Sequence, residues 1–286
     1  MRIDLHVHSD YSDGSFSPEE LAQEAVRNQV TAFALTDHDT IDGVREAMEA
    51  GRRYGIQVIP GIELSAVYGG QDIHILGLNP DIDQPEFLWQ LEHYRQERDR
   101  RNQAMLDRMI ACGLPVEKEE FAARYPKSVI TRAHFAEYLL EKGSVSSMKE
   151  AFDRYLGPGR PCYLAKKTIS CQEAVSCIRR GNGHPVLAHP WQYKLPVPQL
   201  KKLILELMGY DLEGLEAVYT THTQDQERKL RSIAAEFGLK VTGGSDFHGS
   251  KKPDIRLGYG RGSLYVHHEM MEWLFNKRKP KQELRL

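Results

Sequence analysis

The chain has 286 residues, 41% of them hydrophobic and 27% charged, with a formal net charge of −2. That length supports one large α/β domain with an excursion, and the charge balance gives no global attraction to nucleic acid, so polyanion binding has to come from a local patch. No apolar run reaches the ~18 residues that span a bilayer, and no charged n-region with an apolar h-region precedes the first strand, so a cytoplasmic protein without membrane contact is expected. Cys112, Cys162, Cys171 and Cys177 are scattered without a CxxC pair and read as small buried hydrophobes in a reducing compartment.

Residues 3–13, IDLHVHSDYSD, alternate apolar and polar as a half-buried strand does, so His6 and His8 leave it on one face. Ser17-Pro18-Glu19-Glu20 joins an N-cap serine, a proline at the first helical position and a glutamate three residues on, which predicts a helix to about residue 29. AFALT at 32–36 reads as a buried strand that stops at Asp37-His38-Asp39. A helix over 43–54 closed by Gly55, a strand near 57–60 leading to Gly61-Ile62-Glu63, and a strand at 73–78 carrying His74 follow. This rhythm predicts parallel strands joined by right-handed crossovers, in a barrel or an open doubly wound sheet, with the chemistry at the carboxyl ends of the strands.

From residue 81 the rhythm breaks. Helical patterns at 85–112, 116–125, 131–140 and 147–156 follow one another without a strand signal, which predicts an all-helical insertion over 81–159 that caps the face where the strands end. The flanking stretches 1–80 and 160–286 then form the two parts of the barrel, with Gly157-Pro158-Gly159-Arg160-Pro161 as the return linker. The alternation resumes with helix 170–180, strand 185–189, helix 198–208, strand 214–219, helix 224–237 and strand 239–243. The basic run at 277–281 reads as a solvated tail rather than a DNA-binding or other nucleic-acid arm.

Potential metal ligands mark strand after strand. His6 and His8 close the first strand, with Asp13 just beyond; His38 closes the second, Glu63 follows the third and His74 lies in the next. His189 ends VLAHP, and Asp246 and His248 follow Gly243-Gly244-Ser245. A lone histidine is usually structural, but six imidazoles and three carboxylates at recurring strand ends exceed what one tetrahedral ion can use. They suit two or three divalent ions, with Glu63 as a bridging carboxylate. Ions roughly 3.5–4 Å apart lower the pKa of a shared water toward ~7 and clamp phosphoryl oxygens during in-line attack by the bridging hydroxide. Asp37, beside His38, is a candidate to orient an imidazole. No Ser-His-Asp or Cys-His arrangement competes with this reading.

The ordered set HxH, DH, E, H, HP and SDxH resembles the motifs of the polymerase and histidinol phosphatase (PHP) superfamily. The resemblance implies a distorted (β/α)7 barrel of α/β class holding three metals. Carried over position by position, it assigns His6, His8, Glu63 and Asp246 to one ion, Glu63, His74 and His189 to a second, and Asp13, His38 and His248 to a third. Manganese is the expected metal, with iron, zinc or magnesium as alternatives. With YSDG at Asp13, the helical insertion and ITRAHF at 130–135, the chain is most similar to the TrpH-like subgroup of 3′,5′-nucleotide bisphosphate phosphatases and related 5′→3′ exoribonucleases. That similarity implies hydrolysis of the 3′-phosphate of a bisphosphonucleotide and action on short 5′-phosphorylated RNA. It makes Asp13, His38 and His248 catalytic groups. It also makes Arg95, Arg98 and Arg132 the holders of the second phosphate, because planar guanidiniums select it; Asp13 and His38 are further substrate contacts, and His134 reads either as a phosphate or leaving-group contact or as a plain helix residue.

His222, in TTHTQ after a strand end, is a candidate to protonate the leaving oxygen. Arg100 and Arg101 read as a solvated helix face, and no protein partner is evident. Two other readings compete. A small-molecule phosphatase of the histidinol-phosphate type would not need a cluster of arginines. A metal-stabilised binding module without turnover would be expected to have lost ligands.

Overall fold

The structure is a computed structural model that describes residues 1–164 and 169–276. The basic run at 277–281 lies outside the described residues. The elements in chain order are β1 (Arg2–Val7), α1 (Pro18–Arg27), β2 (Val30–Leu35), α2 (Val44–Tyr54), β3 (Gln57–Tyr68) and β4 (Gln71–Leu78). Then come α3 (Pro85–Ala111), α4 (Lys118–Arg124), α5 (Arg132–Glu141) and α6 (Met148–Ala151), which runs into a π turn over Phe152–Leu156. The remainder is α7 (Cys171–Arg180), β5 (His184–Leu187), α8 (Val197–Met208), β6 (Gly214–Tyr219), α9 (Gln224–Phe237), β7 (Lys240–Gly244), β8 (Val266–His267) and α10 (Glu269–Glu272). No helix among the described residues is long and apolar enough to cross a membrane.

Local chemistry sets these boundaries. Ser17, Ser170 and Thr223 each close a capping box at the start of α1, α7 and α9, which satisfies backbone N–H groups that have no partner inside the helix. Gly55 and Gly238 end α2 and α9 in the left-handed region, at φ +72° and +70°.

The sheet order is β7-β6-β5-β4-β3-β2-β1-β8. It nearly closes, because β7 returns to β1: Asp246 N donates to His6 O and His8 N to Phe247 O, both at 2.9 Å. The two-residue β8, absent from the sequence reading, pairs antiparallel beside Arg2 and Ile3 and brings the eighth strand. The fold is therefore the expected α/β barrel, but not all its strands are parallel. Pairs β1–β2, β2–β3, β5–β6 and β6–β7 are parallel, whereas β3–β4 and β4–β5 are antiparallel.

The antiparallel pairs arise at one turn. Tyr68 pairs with Gln71 across Gly69-Gly70, whose φ values of +57° and +83° fit the two-residue turn that matches strand twist. β3 therefore continues well past residue 60, and Glu63 is an interior strand residue rather than a strand-end one.

Ile62, Leu64 and Ala66 of β3 pack with Ala174, Val175 and Ile178 of α7 in one buried cluster. Side chains alternate along a strand, so Glu63 and Ser65 project from the opposite face, toward the barrel interior. Below them, Ala32, Ala34, Ile59, Leu76, Leu78, Val186 and Val218 fill that interior and join the C-terminal Leu264, Val266 and Leu274. Each fully buried Leu, Ile or Val contributes about 1.5–3 kcal/mol relative to exposure, so the floor under the polar groups is rigid.

The helices between β4 and α7 build a separate core from Met105, Met109, Phe121, Phe135, Tyr138, Leu139 and Leu156. The first turns of α3 do not belong to it. Phe87 and Leu91 pack in the barrel cluster with α7, and a Cβ on Gly181 would meet the Phe87 ring at 2.8 Å. α3 thus bridges the two cores, and the residues on its middle turns stand over the barrel mouth.

Candidate metal centre and substrate cleft

All nine donors expected from the sequence converge. Glu63 Oε2 stands 3.2 Å from His6 Nε2, from His8 Nε2 and from His38 Nδ1, while its Oε1 is 2.9 Å from His74 Nδ1 and 3.0 Å from His189 Nε2. Glu63 pairs with Leu76, and Ser65 with His74, so Glu63 and His74 are diagonal neighbours on one face of the β3–β4 hairpin. Asp246 Oδ1 lies 3.3 Å from His8 Nε2 and 3.4 Å from His248 Nδ1, and Asp13 Oδ1 is 3.2 Å from His248 Nε2. The donor atoms form three overlapping groups: His6, His8 and Glu63; His38, Glu63 and His74; and His8, Asp13, His38 and His248. Glu63, His8 and His38 each belong to two of these, whereas the assignment implied by the resemblance shares Glu63 alone.

This donor set fits divalent cations. His38 Nδ1 and Asp13 Oδ1 are buried without a hydrogen-bond partner, and a buried polar atom left unpaired costs about 1–3 kcal/mol. Burial opposes the charge on Glu63, but His38, His6 and His74 hold its carboxyl well below the usual carboxylate range. Burial likewise opposes the charge on Asp13, and His38 and His248 overcome it. Asp246 is kept ionised against its burial by Lys252 and His248. Three buried anions among six imidazoles are oxygen and nitrogen donors ready for coordination.

Groups that the sequence reading did not single out hold the donors in place. Glu216, fully buried on β6, sets Oε1 3.0 Å from His6 Nδ1 and accepts His189 N at Oε2 at 2.8 Å. Its carboxylate engages Nδ1 and so orients the ring with Nε2 aimed at the cluster. Asp4, also fully buried, accepts Ser245 N at 2.8 Å, Ser245 Oγ at 2.5 Å and Gly258 N at 2.7 Å, and so pins the turn that carries Asp246. Tyr219 OH and Lys252 Nζ each bind Asp246 Oδ2 at 2.7 Å. A buried acid in a strand is the signal that would have found Asp4 and Glu216, since such a residue is rare unless paired.

Asp37 touches no imidazole directly; its link to one runs through Ser12 Oγ, 3.5 Å from His8 Nδ1. It accepts Ser9 N at 2.8 Å, Ser9 Oγ at 2.6 Å and Ser12 Oγ at 2.6 Å, and so shapes the loop from β1 to Asp13.

A cleft of about 170 Å³ opens beside the donors. Its lining includes Asp13, His38 and His74 on the barrel side, and Arg98, Arg101 and Arg132 on the helical side. Arg98 pairs with Asp39, and Arg132 binds Asp72 at 2.6 Å. Burial, with Arg101 next to it, lowers the Arg98 guanidinium to about 10, and burial, with Arg132 next to it, lowers Arg101 to about 10. Like charges held together while losing water favour an incoming anion.

The structure does not bring the remaining expected contacts to this cleft. Arg95 is half exposed and pairs with Glu92 at 2.6 Å: the inward face runs through Arg98 and Arg101, and Arg95, six residues before Arg101, lies about 120° round the helix from it and turns toward solvent. Arg101, read as a solvated residue, takes its place. His134 caps α5: its Nδ1 accepts Thr131 N at 2.9 Å, and its ring packs 4.5 Å from Tyr125. His222 faces the Ala217 carbonyl through Nδ1 at 3.0 Å and packs 5.1 Å from the Tyr219 ring. Burial lowers its pKa, which works against the proton-donor role expected from its position.

The model of the PHP domain matches residues 4–157, more than half of the chain. The chain belongs to the PHP-domain family. It is 36% identical over 247 residues to a 5′-3′ exoribonuclease of Haemophilus influenzae, covering 86% of this chain and 90% of that protein. To a 3′,5′-nucleoside bisphosphate phosphatase of Chromobacterium violaceum it is 35% identical over 248 residues, covering 86% and 87%. Among solved structures, a putative metal-dependent phosphoesterase of Bifidobacterium adolescentis superimposes with a TM-score of 0.83 at 27% identity, covering 95% of this chain and 94% of that one. The family resemblance carried by the motifs is borne out, as is the reading as a phosphoester hydrolase. His189, Asp246 and His248 lie beyond the matched PHP segment, yet the barrel returns them to Glu63, His8 and Asp13 respectively.

Proposed function

We propose that this PHP-family protein removes the 3′-phosphate from 3′,5′-bisphosphorylated nucleosides and trims short 5′-phosphorylated RNA from its 5′ end, with three divalent ions, manganese first among them, in the nine-donor cluster. The observation that carries the reading is the cleft itself, where Arg98, Arg101 and Arg132 face Asp13, His38 and His74. One wall suits a phosphate to be held and the other a phosphate to be cut. A nucleoside with phosphates at both ends presents both, and so does the 5′ end of an RNA. Residues 81–159 act as the substrate cap in this reading, and the cytoplasm, where nucleotides and RNA turn over, is its compartment.

Bound in this cluster, divalent ions would activate a water and neutralise charge on the phosphoryl oxygens. The chain's own residues do the rest. Glu63 and Asp246 gather the imidazoles from β1, β2, β4 and β5. Glu216 holds His6 Nδ1 and turns Nε2 toward the cluster. Asp13 and His38 line the cleft and face the scissile phosphate, with His248 3.2 Å from Asp13 behind them, and the guanidiniums fix the other phosphate by paired N–H donors. Holding both ends of the substrate makes attack effectively intramolecular.

Phosphate release from 3′,5′-bisphosphorylated adenosine tests this directly, with Mn²⁺ and then with chelator, beside histidinol phosphate and a 5′-phosphorylated oligoribonucleotide. Turnover of the bisphosphate that stops with chelator is expected. Faster turnover of histidinol phosphate would replace this reading by the small-molecule one, and binding without release by that of a non-catalytic module.

A further inference from the structure

A second cavity, of about 360 Å³, lies against the substrate cleft and shares Ser65, Arg98 and Arg101 with it. One face of α3 lines it through Gln90, His93, Tyr94 and Glu97, with Ile169 and Glu173 opposite. None of the nine metal-type donors lines it. One helical turn before the lining residue His93, Trp89 is 66% exposed and stacks on the His93 ring with a centroid separation of 6.0 Å and planes 7° apart. A large aromatic ring left in water has given up burial worth about 1.5–3 kcal/mol, and here it extends a row of rings that leads away from the guanidiniums.

We propose that this cavity and the Trp89–His93 stack form a second nucleotide subsite, which takes a base of an RNA substrate beyond the nucleotide whose phosphates fill the metal cleft. The inference rests on the phosphoesterase reading and names what that site does with chains longer than one nucleotide. Distance decides against the first nucleotide as occupant of the stack: at 1.5 Å per residue, Trp89 lies about 14 Å along α3 from Arg98. Chemistry decides for a base, because flat rings accept any base face without reading sequence, and base stacking contributes about 1–3 kcal/mol per ring. Ser65, Arg98 and Arg101 line both cavities, so an RNA whose linking phosphate lies at the metal-type donors can pass its next nucleotide along this shared wall into the second cavity.

The test compares Trp89→Ala and Trp89→Phe with the wild-type protein on two substrates. With a 5′-phosphorylated oligoribonucleotide, Trp89→Ala should lose about tenfold in kcat/KM, most of it through KM, and Trp89→Phe should restore most of that loss. With 3′,5′-bisphosphorylated adenosine, both variants should match wild type. In chelator, the labelled oligonucleotide should bind Trp89→Ala about tenfold more weakly than wild type, a readout independent of turnover. Equal losses on both substrates, unchanged RNA kinetics in Trp89→Ala, or a wild-type protein that hydrolyses the bisphosphate but ignores the oligonucleotide would each overturn the subsite and leave the bisphosphatase reading standing. Failure of the wild type on the bisphosphate would remove the reading itself.

Discussion

Glu216 Oε1 and His6 Nδ1 lie 3.0 Å apart at zero exposure, which joins β6 to β1 across the barrel interior beneath the metal-type donors. Glu216→Gln keeps the shape and removes the charge that holds His6 Nδ1. The expected outcome is a 10–100-fold loss in metal affinity or activity with the fold retained. Chelator-competition titration beside circular dichroism would check it, and unchanged affinity would show that His6 needs no such partner.

Cations bound to nine converging donors should stabilise the folded chain, because the unfolded chain lacks the site. Thermal melting is expected to move up with Mn²⁺ and down with chelator. Elemental analysis of freshly purified protein should find at least two ions per chain. Identical melting temperatures in both conditions would speak against a resident metal.

Arg132 is only partly buried and pairs with a single carboxylate, so Arg132→Gln should fold normally. Its effect is expected in substrate selection: KM for a 3′,5′-bisphosphonucleotide rises about tenfold or more, on the order of one charged hydrogen bond, while a substrate with a single phosphate ester loses little. Equal losses on both would place Arg132 at the scissile phosphate instead.

Gly244 is the contact point between β7 and β1. A Cβ there would meet His6 Cβ at 2.2 Å and His6 N at 2.6 Å, and both atoms belong to a strand that cannot yield. Gly244→Ala should therefore cost about 1–3 kcal/mol or more of stability and weaken metal binding with it, as read by denaturant melts and chelator competition. A variant with wild-type stability would mean that β7 can slide along β1.

Burial, against a smaller opposing pull from Asp13, pushes the His134 imidazole down to about 4 from 6.5. The folded chain holds this ring neutral while the unfolded chain protonates it near 6.5, so protonation favours unfolding. The stability involved, up to about 3 kcal/mol, is present above pH 6.5 and is lost as pH falls from there toward 4. His134→Gln keeps an acceptor for Thr131 N and should flatten that part of the pH–stability curve. An unchanged slope would assign the acid sensitivity to another group.

The sequence shows much of this molecule because the strand and helix signals that place the donors are local. Capping at Ser17, Ser170 and Thr223, the left-handed Gly55 and the alternation in IDLHVHS each depend on a few neighbouring residues, and the structure repeats them within a residue or two. The β3–β4 hairpin was present in the same local terms, as Gly69-Gly70 between two apolar runs, but the rhythm of the preceding units favoured a parallel reading. β8 is too short to carry a periodic signal, and it pairs with residues more than 260 positions away.

The residue types and their order were enough to determine the family, a barrel scaffold and nine donors suited to divalent ions, because ligand chemistry is a property of the side chains themselves. What they touch was decided only by the tertiary structure. Which arginine of α3 faces the cleft depends on how the helix is rotated when Phe87 and Leu91 seat in the barrel core, and that rotation chose Arg101 over Arg95. Likewise Glu216 and Asp4 become supports of the metal centre only because barrel closure carries β6 and β7 back to β1, a contact that no stretch of the chain encodes alone.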